Sequence, residues 1–311
     1  MSFMRVVVLG KGLMLANTIL GVKDAGADIV GVFRYENTCH SRLKLLLKDF
    51  FMPAPEVTLI KELKLNQIRM KSANSEFFQK LMVYLNVDMI IVGTWKEKLS
   101  PQTYNIPKIA TVNLHPSLLP KYRGPNPYMQ TILHDEKFSG LTIHLVDNSY
   151  DNGAILKQTK IPIFKTDTSK ELRERTLREV RPLVCELLND LNERILTPVK
   201  QDERQASYFP QISGDERMLD FTVQTSEEIS RTIRALHPFL PCYITHENTF
   251  IVTDPYNFQI LDINYKNKKP GDIVYKNVNN NSMTIICADN KAIKFSKLKL
   301  YKSNPIKEFF K

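Results

Sequence analysis

Cysteine is sparse and scattered. Cys39, Cys185, Cys242 and Cys287 are the only four in 311 residues, and no two share the CxxC spacing of a zinc or dithiol site. No metal is therefore expected. Free thiols in a reducing compartment are the simple reading, which points to the cytoplasm. Long apolar runs are missing too. Val6–Gly10 is too short for a signal peptide, and nothing approaches the length of a membrane span, so no membrane partner is expected. There is no internal repeat and no low-complexity segment. Gly10-Lys-Gly12 lacks a third glycine, because Leu13, Met14 and Leu15 follow it. A lone GxG reads as a tight turn rather than a dinucleotide site.

With 43% hydrophobic and 24% charged residues, the chain can build an ordinary globular core. Its length fits one large or two medium domains. Charge is uneven. From Leu261 to Lys311 there are eleven lysines, no arginine and four acids, a net +7 of the chain's +10. Such an appendage suits a polyanionic partner. A lysine-rich solvated surface with no partner accounts equally well for the charge alone.

Arg5–Gly10 reads as a buried strand, Leu13–Lys23 as a helix and Asp28–Phe33 as a second strand. This βαβ opening predicts an α/β fold with a Rossmann-like, doubly wound parallel sheet. The Arg42–Phe51 part has a helical look. Ser75–Leu85 is helical, with Phe77, Phe78, Leu81, Met82 and Leu85 as its apolar stripe. Asp88–Gly93, Ala110–Leu114, Leu141–Val146 and Gly153–Ile163 read as strands. Thr168–Leu196 reads as one long helix with Pro182 as a kink or break. After a polar stretch at Lys200–Ser207 come short strands at Phe250–Thr253, Asp272–Tyr275, Ser282–Cys287 and Ala292–Phe295. A small C-terminal β-barrel, OB-like, is expected. The domains are expected at 1–205 (catalytic) and 206–311 (barrel).

The segment Asn113-Leu-His-Pro-Ser-Leu-Leu-Pro-Lys-Tyr-Arg-Gly124 concentrates polar groups at a strand end. Asn113 and His115 share one face of an extended strand, and Pro116 ends the ladder. Ligands of open α/β sheets bind at such carboxyl ends. An amide beside an imidazole can hold a developing oxyanion, although capping of the loop is an equally available role for both. Asp151-Asn-Gly153 is turn chemistry, yet an Asp near a His can orient it and share its proton. His134 and His144 are expected to be structural.

Together, Asn113-Leu-His-Pro-Ser-Leu-Leu-Pro, Lys121-Tyr-Arg-Gly, Gly140-Leu-Thr-Ile-His144 and Asp151-Asn-Gly-Ala-Ile155 resemble the signature of the 10-formyltetrahydrofolate-dependent formyltransferases. Within that family the chain is most similar to the methionyl-tRNA formyltransferases and to relatives that formylate amino sugars. Tyr208–Ile212 and Ile233–Pro238 look like the junction before the family's C-terminal barrel. The resemblance implies 10-formyltetrahydrofolate as cosubstrate and an asparagine, a histidine and an aspartate in the site, which fall on Asn113, His115 and Asp151. Asn113 and His115 would hold the tetrahedral oxygen, and Asp151 would position His115 and help remove the amine proton. It also implies a folate pocket shaped by Ser117, Leu118, Leu119 and Pro120, with Gly93, Thr94 and Trp95 as the opposite wall.

Charged initiator tRNA is the expected acceptor, with Arg42, Lys297 and Lys299 as contacts and a monomer as the working state. Two departures bear on that acceptor. The segment Arg34–Phe51 lacks the glycines of the tRNA enzymes' basic loop, and Thr94-Trp-Lys-Glu97 replaces a smaller, glycine-containing stretch. Both leave open an amino sugar on a nucleotide as acceptor, with Trp95 stacking on a base or pterin. A binding homologue without catalysis is the third alternative.

Overall fold

The computed structural model describes residues 3–36, 41–246, 249–252, 254–263, 265–277, 282–296 and 298–301. Two compact units interleave along the chain. One comprises 1–124, 139–162 and 174–208, the other 125–138, 163–173 and 209–311. The contiguous division at 205/206 expected from composition follows neither unit along its whole length, because two short internal segments go with the C-terminal part.

In the first unit, seven strands form one sheet in the order β3-β2-β1-β4-β5-β6-β7. They are β1 (Arg5–Gly10), β2 (Asp28–Arg34), β3 (Gln67–Ile68), β4 (Met89–Gly93), β5 (Ala110–His115), β6 (Phe138–Leu145) and β7 (Ile155–Pro162). The ladder is parallel from β3 to β5, and β6 runs antiparallel to β5. Val6, Val7, Val8 and Leu9 are fully buried, which is why β1 reads as an uninterrupted apolar run. Each such side chain gains roughly 1.5–3 kcal/mol from burial.

Helix α1 (Gly12–Asp24) follows β1. Helices α2 (Arg42–Phe51) and α3 (Pro55–Glu62) follow β2, and α4 (Glu76–Tyr84) precedes β4. Phe78 and Met82 of α4 pack with Val7, Leu9, Phe33 and Ile90 in one cluster. Phe77, expected on the same stripe, is 79% exposed. The buried pair at i and i+4 sets the inward face, and Phe77 lies a helical step off it. Ser75 caps α4, accepting from the Phe78 N–H. The segment after β2 is tied down from beneath. Arg34, 1% exposed, pairs with Asp49 of α2 at 2.5 Å and with buried Glu56 of α3 at 3.7 Å. A short helix α5 (Pro101–Tyr104) precedes β5, and the long helix α7 (Ser169–Glu193) carries Pro182 inside it.

The second unit contains α6 (Pro127–Leu133) and α8 (Ser226–Leu236). It also has two antiparallel sheets, β10-β13-β12-β11 and β14-β9-β8. These strands are β8 (Tyr243–His246), β9 (Thr249–Val252), β10 (Phe258–Leu261), β11 (Ile273–Asn277), β12 (Ser282–Ile286), β13 (Ala292–Phe295) and β14 (Lys299–Tyr301). The strand-rich tail expected as a barrel is thus an antiparallel domain in two sheets. Its core joins Met129, Ile229, Ile233, Ile285, Ile293 and Phe295. Helix α8 opens on a capping box between Thr225 and Glu228.

Candidate functional site

Asn113 and His115 are alternate residues at the end of β5. The β5–β6 register sets Asn113 opposite His144 and His115 opposite Thr142, so their side chains stand on one face. Asp151 comes from the turn between β6 and β7. Its backbone has φ 55°, a left-handed conformation that aspartate tolerates better than most residues. The turn lies hard against β6: a methyl group at Gly153 would sit 1.8 Å from the Leu145 carbonyl oxygen. Only glycine fits that approach.

The structure brings the three expected residues together. His115 Nδ1 lies 3.4 Å from Asp151 Oδ1. Nε2 of the same ring is 2.9 Å from the Tyr122 carbonyl oxygen. A carbonyl only accepts, so Nε2 carries the hydrogen and Nδ1 is bare in the neutral ring. The Asp151 Oδ2 accepts from the Gly124 N–H at 3.0 Å. The motif Lys121-Tyr-Arg-Gly124 therefore touches both members of the pair, through one carbonyl and one amide. That loop is itself held by Ser207, whose Oγ accepts from Tyr122 N–H and whose carbonyl accepts from Arg123 N–H, both at 2.9 Å.

A second brace fixes the Asp151 turn. The Gln201 Nε2 donates to the Asp151 carbonyl at 2.9 Å and to the Gly153 carbonyl at 2.8 Å. Its Oε1 accepts from Arg123 Nη2 at 2.8 Å, and Arg123 also pairs with Glu203. Nothing in the local sequence around Asp151 points to Gln201, which is 50 residues away.

Burial governs the titration of the pair. His115 is 5% exposed, and loss of water pushes its pKa below the ordinary 6.5 despite the opposing charge of Asp151. Burial alone would raise Asp151. The His115 charge, the His144 contact and the Gly124 N–H together outweigh it and hold the carboxyl at about 2. Around neutrality the arrangement is a neutral imidazole beside a carboxylate. It can take up a proton between Nδ1 and Oδ1, with a nearby amide available to a developing negative charge.

His144, expected to be structural, belongs to this cluster. Asn113 Nδ2 lies 3.1 Å from His144 Nε2, and that nitrogen is 3.7 Å from Asp151 Oδ1. His134 differs, with Nδ1 on the Gln130 carbonyl of its own helix and its ring on Phe209.

The expected folate wall is only partly surface. Ser117 and Leu119 are buried, with Ser117 Oγ donating to the Lys121 carbonyl and the Leu119 N–H donating to Thr142 Oγ1. Leu118 and Pro120 are half-buried, and Leu118 closes over Gly140, where a Cβ would meet its Cδ2 at 2.4 Å. So Ser117 and Leu119 shape the loop from inside. Opposite, Gly93 is buried and Thr94 is exposed at φ 61°, a strained conformation for a β-branched residue. Trp95 packs edge-on against Phe33 at 5.0 Å and Tyr35 at 5.3 Å. Its Nε1 is buried without a hydrogen-bond partner, a donor suited to a polar ligand atom.

Arg42 opens α2, but its side chain lies outside the described residues, as does Lys297 altogether. Lys299 is exposed on β14 in the other unit. Among the described residues, no group of three or more His, Cys, Asp or Glu could hold a metal ion, and no helix is long and apolar enough to cross a membrane.

Residues 4–186 match the family model described as formyl transferase, and residues 211–311 match that of the formyl transferase C-terminal domain. A methionyl-tRNA formyltransferase of Lachnospira eligens is 28% identical over 91% of this chain and 88% of its own. One from Clostridium novyi is 30% identical over 84% of this chain and 82% of its own. Among solved structures, an N-formyltransferase from Helicobacter canadensis in complex with folinic acid and dTDP-3-aminofucose shares the fold. Its TM-score is 0.66 at 18% identity, over 96% of this chain and 100% of that one. HypX from Aquifex aeolicus in complex with tetrahydrofolic acid gives a TM-score of 0.62 at 15% identity; 94% of this chain spans 44% of that longer protein. With both parts of the chain matched and the strand-end cluster inside the first, this protein belongs to the formyl transferase family.

Proposed function

We propose that the chain transfers the formyl group of 10-formyltetrahydrofolate to a primary amine, and that this amine is the α-amino group of methionyl-initiator tRNA. The observation that carries the chemistry is the His115 Nδ1 to Asp151 Oδ1 contact of 3.4 Å beside Asn113 on one strand end. The amine nitrogen attacks the formyl carbon and a C–N bond forms. Asn113 donates an amide N–H to the oxygen of the tetrahedral species. The neutral His115 and the ionised Asp151 take the amine proton as a unit, leaving it on Nδ1 between them. As the bond to folate N10 breaks, that proton passes to N10. His115, once protonated, also stabilises the oxyanion by its charge.

The folate is received between Leu118 and Pro120 on one side and Thr94 and Trp95 on the other. The unpartnered Trp95 Nε1 and the strained Thr94 fit a site that completes its hydrogen bonding on binding. Residues 1–205 supply catalysis, and 206–311 supply the charged surface for the acceptor. Lys266, Lys268, Lys269, Lys294 and Lys299 are exposed there, and Arg42, Lys297 and Lys299 are the expected acceptor contacts. The whole works as a monomer in the cytoplasm.

An amino sugar on a nucleotide is the second reading. It is favoured by one observation: Arg42–Phe51 is a helix without glycine, unlike the flexible basic loop expected of a tRNA enzyme. Incubation with 10-formyltetrahydrofolate and charged initiator tRNA, with amino-sugar nucleotides in parallel, decides between them. Formyl transfer to the sugar alone rejects the tRNA; transfer to no amine rejects the reaction.

A further inference from the structure

We infer that His144 is a positioning residue that fixes which way the Asn113 amide faces; this rests on the reading of Asn113 as the oxyanion donor. His144 Nδ1 is 2.8 Å from the Leu145 carbonyl oxygen. That oxygen accepts only, so Nδ1 carries the hydrogen. In the neutral ring Nε2 is then a bare acceptor. It lies 3.1 Å from the Asn113 side-chain nitrogen, which must donate to it. The reversed amide would point Oδ1 at the same lone pair, acceptor against acceptor.

A primary amide has two N–H groups on one nitrogen. With one spent on His144, the second is left for the formyl oxygen, in a direction set by the plane of the amide. Without His144 the amide could rotate or reverse, and a reversed amide would offer a carbonyl to a developing negative charge. His144 is only 3% exposed, and it faces Asn113 across the β5–β6 ladder. Its position is thus as fixed as the sheet.

His144→Leu removes the acceptor and keeps the bulk. We expect kcat to fall about 10–100-fold, less than the roughly 10²–10³ for outright loss of one oxyanion donor, with both KM values nearly unchanged. His144→Gln, whose Oε1 can accept from Asn113, should recover most of kcat. In an Asn113→Ala background, His144→Leu should cost almost nothing more, because the two residues act as one unit. Normal kcat in His144→Leu, equal losses in the Leu and Gln variants, or additive losses in the double variant would each overturn the assignment. Long-range 15N spectra of histidine-labelled wild-type protein test it without turnover. The Nδ1–H tautomer at His144 is expected, and an Nε2–H signal rejects the inference. Wild-type protein that transfers no formyl group would reject the proposed reaction, leaving the tautomer measurement to decide the Asn113–His144 pairing.

Discussion

A buried base makes a sharp prediction about pH. Burial lowers His115 below 6.5, so its neutral form persists to lower pH than that of a solvated histidine. Asp151, held at about 2, stays ionised throughout. The acid limb of kcat/KM should therefore lie below pH 6.5 and disappear in variants lacking His115; a limb at or above pH 7 would contradict the geometry. Linkage has a matching sign. As pH falls past 6.5 the unfolded chain binds a proton that folded His115 refuses, so this group's contribution to stability declines on acidification. Asn113→Ala should lower kcat by about 10²–10³. His115→Ala and Asp151→Ala should each lose most of kcat with modest change in folate KM; near-normal kcat in either would remove its role. At this scale the sequence was informative where residues sat in one motif. Asn113 and His115 are two apart on a strand, and Asp151 lies in a turn with glycine two residues on. The pairing of His144 with Asn113 is not legible in the sequence, because the two sit on antiparallel neighbours and only the register reveals it.

Buried strands were legible as elements because a central sheet has no polar face to interrupt the apolar run. The two-residue β3 was too short to read. β8, β10 and β14 carry no clear alternation between turn signals. The Thr225 to Glu228 spacing is a capping-box pattern, a helix start that the sequence itself carries. The turn after β6 is legible as the turn chemistry of Asp151-Asn-Gly153, but its brace, Gln201, lies in a distant segment. That brace makes its own prediction. Gln201→Glu keeps the acceptor for Arg123 but can no longer donate to the Asp151 and Gly153 carbonyls. Two orphaned carbonyls cost about 1–3 kcal/mol each, so Tm and kcat should fall together. Gln201→Leu should fall further, because Arg123 then loses a partner as well. Unchanged kcat in both would show that the turn needs no brace. Gly153→Ala drives a methyl into the Leu145 oxygen and should destabilise by at least about 1–3 kcal/mol in thermal melts.

The interleaved units escaped sequence reading for a general reason. Composition changes along the chain, whereas compactness depends on contacts between segments far apart in it. Residues 125–138 look like part of the α/β run, yet Met129 packs in the core of the other unit. The net +7 of the last 51 residues bears on the acceptor at this scale. If the acceptor is a tRNA, its KM should climb steeply with salt while folate KM barely moves, since each phosphate contact releases counterions. Lys297→Ala and Lys299→Ala should each reduce the slope by roughly 1. A shallow slope in the wild type would point to a nucleotide sugar.

The loop from Lys121 to Gly124 has one more consequence. Its Tyr122 carbonyl grips the imidazole and its Gly124 amide grips the carboxylate, two residues apart on one short frame. When the frame shifts, both grips shift with it. Thermal jitter then enters the His115–Asp151 separation only as a difference, and the shared part cancels, as common-mode noise does between paired wires. The proton gap can stay steady even while the surrounding loop moves.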